Sequence, residues 1–150
     1  MDIVTIDFET YYDRDYSLSK MTTESYIRDP RFEVVGVAVK VNNQEVDWYS
    51  GGDTGGFLNA VDYSDKAILC HNTAFDGAIL SWKFGIKPKM WLDTLSMARP
   101  LHNLTVGGSL KALATYYDLG RKGDEVVRAL GMRRKDFTPE QLSAYADYCI

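Results

Sequence analysis

Cysteine and histidine are scarce, with two of each in 150 residues. Cys70 and Cys149 lie far apart in apolar surroundings and share no metal or redox spacing with His71 or His102. This excludes a disulfide framework and a zinc module, and reads as buried free thiols in a reducing, cytoplasmic setting. No run approaches the roughly 18 apolar residues of a membrane span, and Asp2 stands directly before the first apolar stretch, so neither a membrane anchor nor a signal segment is expected. Positive charge is also in deficit: 17 Lys and Arg against 21 Asp and Glu give a net charge of −4. That argues against a coat protein gripping many phosphates. With four prolines, no repeat, no low-complexity segment and no linker, the 150 residues suit one domain around one core.

What the sequence does contain is acid at the ends of apolar stretches, where burial of charge is costly without a partner. Ile3-Val4-Thr5-Ile6 reads as a strand and runs into Asp7-Phe8-Glu9-Thr10. Along a strand the side chains alternate, so Asp7 and Glu9 share one face while Val4, Ile6 and Phe8 share the other. Two carboxylates about 7 Å apart on one face repel, and a divalent cation between them is the simplest remedy. A second string supports this. Ala67-Ile68-Leu69-Cys70 reads as a short buried strand, followed by His71-Asn72 and an amphipathic helical pattern over 73–84. Asp76 falls in the first turn of that helix, where the helix dipole favours a carboxylate. Oxygen ligands of this kind suit Mg²⁺ or Mn²⁺.

Asp7-Phe8-Glu9-Thr10 resembles the first motif of the DEDD-type 3′–5′ exonucleases, and Asn72-x-x-Phe75-Asp76 resembles their second. Ala144-Tyr145-Ala146-Asp147-Tyr148-Cys149-Ile150 is similar to the tyrosine version of the third, as in proofreading domains of family A, phage-type DNA polymerases. With Tyr148 as that tyrosine, its aspartate belongs at position 152, two residues past Ile150, and 1–150 reads as an exonuclease domain cut inside its last catalytic helix. His71 and Asp76 also have the spacing of the histidine version of that third motif. They stand mid-chain directly after a strand, and the spacing is taken as coincidence.

The order of elements agrees with an α/β, RNase H-like fold. Residues 11–32 read as a long loop with about one helical turn, whose Tyr11, Tyr12 and Tyr16 either cover the core or stack on bases. Val34 to Val41 reads as a strand with Val35, Val37, Val39 and Val41 on one face, Asn42-Asn43 as a hairpin turn, and Val46 to Tyr49 as the return strand. Gly51 to Gly56 lacks the Gly-Lys-Ser/Thr ending of a phosphate loop and reads as a flexible connector before a helix over 57–61. Strand (67–70), helix, strand (90–92) and helix then alternate, which implies parallel pairing. Asp93-Thr94 reads as a helix cap, Leu110, Leu113, Ala114 and Tyr117 as a helical face, and Thr138-Pro139 as the start of the last helix. The expected product is a mixed five-stranded sheet, three antiparallel strands then two parallel, with helices on its faces. Arg121, Lys122, Arg128, Arg133, Arg134 and Lys135 form a basic cluster that is either a solvated face or a contact for a nucleic-acid backbone.

The resemblance implies phosphodiester hydrolysis at the 3′ end of single-stranded DNA by two divalent ions, Mg²⁺ or Mn²⁺, about 3.5–4 Å apart. It assigns Asp7, Glu9 and Asp76 as metal ligands, Asp7 bridging, and Tyr148 as the group orienting the attacking water. Thr10 and Asn72 are its substrate contacts. It further implies a C-terminal polymerase domain in the same polypeptide and the cytoplasm of a bacterium or phage-infected cell. An RNA-directed nuclease on the same fold, or a non-catalytic nucleic-acid-binding scaffold, are the alternatives the residues leave open.

Overall fold

A computed structural model of the chain describes residues 1–119 and 129–149, with side chains of the last helix placed as far as Ala146. Five strands form one sheet: β1 (Ile3–Thr10), β2 (Val34–Val41), β3 (Val46–Ser50), β4 (Ala67–Cys70) and β5 (Met90–Asp93), in the order β3-β2-β1-β4-β5. The β1–β2 and β2–β3 pairs are antiparallel, while β1–β4 and β4–β5 are parallel. This is the mixed sheet expected from the sequence, and β1, which bears the first acidic string, is its central strand.

Among the described residues six α-helices accompany it: α1 (Thr23–Arg28), α2 (Gly52–Ala60), α3 (Thr73–Lys83), α4 (Thr94–His102), α5 (Leu110–Tyr116) and α6 (Pro139–Cys149). α1 is the helical turn expected within the 11–32 loop. The start of α2 corrects the sequence reading, because Gly52 to Gly56 is helix rather than connector. Glycine disfavours helix, but Thr54 and Leu58 of α2 are buried, and tertiary packing outweighs propensity here. In α5 only Leu113 is buried; Leu110, and Tyr117 just past its end, are exposed. The cap on α6 is as read: Thr138 Oγ1 accepts from Gln141 N, and Gln141 Oε1 accepts from Thr138 N.

The main core joins Val4, Ile6 and Phe8 of β1 to Val37 and Val39 of β2, Ile68 of β4, and Ile79 and Leu80 of α3. Tyr16 is fully enclosed and Tyr11 nearly so, with Tyr16 stacked on Tyr26 at 4.4 Å, so these rings cover the core and are not free to stack on bases. Val35 departs from the expected valine face. Pairing steps from Glu9–Gly36 to Thr10–Val34, skipping Val35, and this bulge turns its side chain into a second cluster with Ala129 and Tyr145. Cys70 is a buried free thiol, and burial raises its pKa; the Cys149 side chain lies outside the described residues. Of the basic cluster, Arg121, Lys122 and Arg128 lie outside them too. Arg133 pairs with Glu33 at 2.6 Å and covers the Tyr11 ring, and Arg134 Nε donates to Ser50, so these two arginines serve the fold. Among the described residues no helix is long and apolar enough to cross a membrane.

Candidate active site

Asp7 and Glu9 lie half-buried on one face of β1, opposite Ala38 and Gly36 of β2, while Phe8 between them enters the core. On its other side β1 runs beyond β4, since parallel pairing extends only from Ile3–Ala67 to Thr5–Leu69. The Phe8 N–H therefore lacks a strand partner there, and Asp76 supplies one: its Oδ1 accepts from Phe8 N at 3.0 Å. The carboxylate of the second acidic string thus bonds to the backbone between the two carboxylates of the first.

Asp76 is 4% exposed. Burial, first, and the negative charge of Asp7, second, push its pKa up to about 8, against which the Phe8 hydrogen bond works only in part. The sequence reading placed it where the helix dipole favours a carboxylate; desolvation outweighs that. A buried acid with a second acid beside it is under electrostatic stress that a proton or a cation relieves. Among the described residues no group of three or more His, Cys, Asp or Glu side chains is arranged to hold a metal ion as it stands. The donor set of Asp7, Glu9 and Asp76 nonetheless fits a hard divalent ion in chemistry: all are carboxyl oxygens, and the charged form of Asp76 is destabilised by the other two.

The loop into α3 is fixed by Asp93. Its Oδ1 accepts from Asn72 N at 2.9 Å, Thr73 N at 3.3 Å and Leu95 N at 3.1 Å, and its Oδ2 accepts from Ser96 Oγ at 2.6 Å. One carboxylate therefore caps α4, as expected, and also anchors the entry to α3. Those hydrogen bonds lower its pKa despite partial burial. Asn72 adopts left-handed backbone geometry (φ 73°), which asparagine tolerates better than most residues, and it lines an open groove of about 470 Å³ with His71, Arg99, Asn103 and Ser109. His71 bonds through Nδ1 to Thr94 Oγ1 at 2.9 Å.

Thr10 Oγ1 meets the Tyr26 hydroxyl at 2.8 Å, and Thr10 lines a separate cleft of about 240 Å³ with Glu9, Tyr12, Leu18 and Phe75. Of the residues named from the sequence, Asp7, Glu9, Thr10 and Asp76 thus gather at the end of β1, Asn72 begins the helix that carries Asp76, and the Tyr148 side chain lies outside the described residues. Tyr145 was missed. Its hydroxyl donates to Glu9 Oε2 at 2.8 Å from α6. Its only sequence signal was a place on the same helical face as Tyr148, one turn earlier.

No protein-family model and no curated protein matches the sequence. Solved structures do. Brucella melitensis NrnC with bound Mg²⁺ superposes with a TM-score of 0.66 at 16% identity over 97% of this chain and 65% of that one. Escherichia coli RNase D, an exoribonuclease involved in structured RNA processing, gives 0.64 at 14% identity over 98% of this chain and 34% of that one. The family B DNA polymerase of the archaeon Pyrobaculum calidifontis gives 0.65 at 16% identity over 99% and 22%. The chain spans about two thirds of the NrnC length and less of the others. At these identities the likeness is one of fold, and it is the RNase H-like α/β fold of these nucleic-acid enzymes.

Proposed function

We propose that the chain is a metal-dependent 3′–5′ exonuclease domain that removes nucleotides from single-stranded 3′ ends. The observation that carries this is the buried Asp76 carboxyl, bonded to the backbone between Asp7 and Glu9 and destabilised by burial and by Asp7. A structural protein gains nothing from three acids so placed, whereas a hydrolase that recruits cations does. Asp7, Glu9 and Asp76 would hold two divalent ions, Mg²⁺ or Mn²⁺. When bound, such ions activate water and neutralise charge on the leaving oxygen of an in-line displacement.

The remaining roles belong to the chain's own groups. Thr10, at the cleft beside Glu9, receives the terminal nucleotide through its backbone. Asn72, exposed at the start of α3, organises the strand that enters, and Tyr148 orients the attacking water by hydrogen bonding. A phenol with an ordinary pKa near 10 is suited to orienting rather than deprotonating. The resemblance also asks for a fourth carboxylate at position 152.

A 3′ DNA end, with a polymerase domain following in the same polypeptide, is the reading drawn from the three sequence motifs; the likeness to a polymerase chain of which this one covers 22% is in keeping with it. RNA as the substrate is a second reading, favoured by the fold neighbours: one NrnC structure is bound to pGG and a Trypanosoma brucei RNase D is complexed with RNA U12. Two measurements test the proposal. Calorimetry with Mn²⁺ should show uptake by the chain and none by Asp7→Ala. A polypeptide continuing to an aspartate at position 152 should shorten 3′-ended DNA stepwise under Mg²⁺, and parallel RNA strands rank the substrates. Uptake by Asp7→Ala equal to that of the unaltered chain overturns the reading.

A further inference from the structure

Tyr145 sits in a cradle built from three separate elements. Phe137, just ahead of α6, stacks on it with centroids 5.5 Å apart and planes 13° apart. Trp48 of β3 meets it edge-on at 6.4 Å. Trp48 reaches that position only because residue 36, opposite Glu9 in β2, is glycine: a Cβ there would lie 2.1 Å from Trp48 Cζ2. The ring that results is 2% exposed, and its hydroxyl donates to Glu9 Oε2.

Packing explains the ring and leaves the hydroxyl unexplained. A phenylalanine would stack on Phe137 and fill the same space. The hydroxyl adds a directed neutral donor to a carboxylate on the acidic face of β1. A lysine or arginine in that place would cancel the charge a cation needs, whereas a phenol fixes the carboxylate and leaves its charge intact.

We propose that Tyr145 is a positioning residue for the metal centre: it sets the direction of the Glu9 carboxylate so that, together with Asp7 and Asp76, it receives a divalent ion. This rests on the reading of those three carboxylates as ligands. It gives the two tyrosines of α6 separate tasks, Tyr145 acting on a ligand and Tyr148 on the water.

The experiment is Mn²⁺ calorimetry on the 150-residue chain, with far-UV and near-UV circular dichroism and urea unfolding in EDTA as controls on the fold. Tyr145→Phe keeps the cradle and is expected to bind Mn²⁺ about tenfold more weakly, about 1.4 kcal/mol, with unchanged spectra. The effect should vanish when Glu9→Gln is already present, because the hydroxyl acts through that carboxylate; a double-mutant cycle reads this directly. Trp48→Phe, which loosens the cradle and retains the hydroxyl, is a second route to the same Glu9-dependent loss should Tyr145→Phe fail to fold. Affinity within twofold of the unaltered chain, tighter binding, or a loss that persists in the Glu9→Gln background overturns the role of Tyr145. Where Asp7→Ala has abolished uptake at the same time, the ligand reading survives and this inference alone falls. If Asp7→Ala binds Mn²⁺ normally, both fall.

Discussion

Replacing Asp76 by asparagine isolates the electrostatic stress at the site. The asparagine Oδ1 can still accept from Phe8 N, so the backbone bond at the end of β1 survives while the ionisable group is lost. In the native protein the Asp76 pKa is about 8, against 3.8 in the unfolded chain. Between those values the folded state holds a proton that the unfolded state has released, so this group's contribution to stability is complete below about pH 4 and is lost as pH rises towards 8. Integrated from pH 5 to pH 8, that one group removes about 4 kcal/mol from the metal-free protein. Other groups titrate in the same window, so the quantity to compare is the pH 5 to pH 8 difference in each protein. Urea unfolding followed by tryptophan fluorescence in EDTA supplies it. Asp76→Asn should show a difference smaller by a few kcal/mol, with little change at pH 5, where Asp76 is already neutral. Excess Mn²⁺ at pH 8 should stabilise the unaltered chain and leave Asp76→Asn where it was, because ligation requires the carboxylate. A pH difference in Asp76→Asn within about 1 kcal/mol of the original would refute the argument, since it would mean that Asp76 is ionised in the fold at ordinary cost.

In a polypeptide continuing to an aspartate at position 152, Tyr148→Phe should slow hydrolysis by about 10²–10⁴-fold without altering Mn²⁺ uptake, and normal turnover in a labelled-strand assay would reduce Tyr148 to a packing residue. Asp93→Ala strands the N–H groups of Asn72, Thr73 and Leu95 together; urea midpoints should report a loss of about 2–3 kcal/mol, more than a single cap contributes. Gly36→Ala forces a methyl against the Trp48 ring, and a loss of about 1–3 kcal/mol typical of overpacking should come with a changed near-UV signal from Trp48. An unchanged spectrum there would mean that the indole does not depend on glycine.

What the sequence discloses and what it conceals divide along a physical line. The alternation of Val4, Ile6 and Phe8 with Asp7 and Glu9 is a local property of one strand, and so is the apolar run that delivers Asn72 to the start of α3; both were legible, as was the capping role of Asp93. Contacts that depend on packing between distant elements were not. The glycine-rich 51–56 segment looks like a connector until Leu58 and Thr54 are seen buried against the sheet. The valine periodicity of β2 is broken at Val35 by a bulge, which no count of alternating residues reveals. That Trp48 lies over Gly36 is likewise a contact between strands that no local pattern announces. Arg133 and Arg134 read as part of a solvated face or a nucleic-acid contact, although Glu33, a hundred residues earlier, holds the first. The second capping task of Asp93 and the bond from Tyr145 to Glu9 join segments whose proximity is a result of the topology.

The span of that last bond has a bearing on how the molecule comes together. Glu9 and Tyr145 are 136 positions apart, and Phe8 and Asp76 are 68 apart. The hairpin linking β2 and β3 joins near neighbours and can form early, whereas contacts of high sequence separation wait on loop closure. During synthesis at about 5–20 residues per second, roughly 7–27 seconds pass between the appearance of Glu9 and that of the phenol that binds it. Glu9 therefore acquires this donor only after α6 has been made, and an assay of that contact during refolding reads the docking of α6 rather than formation of the sheet.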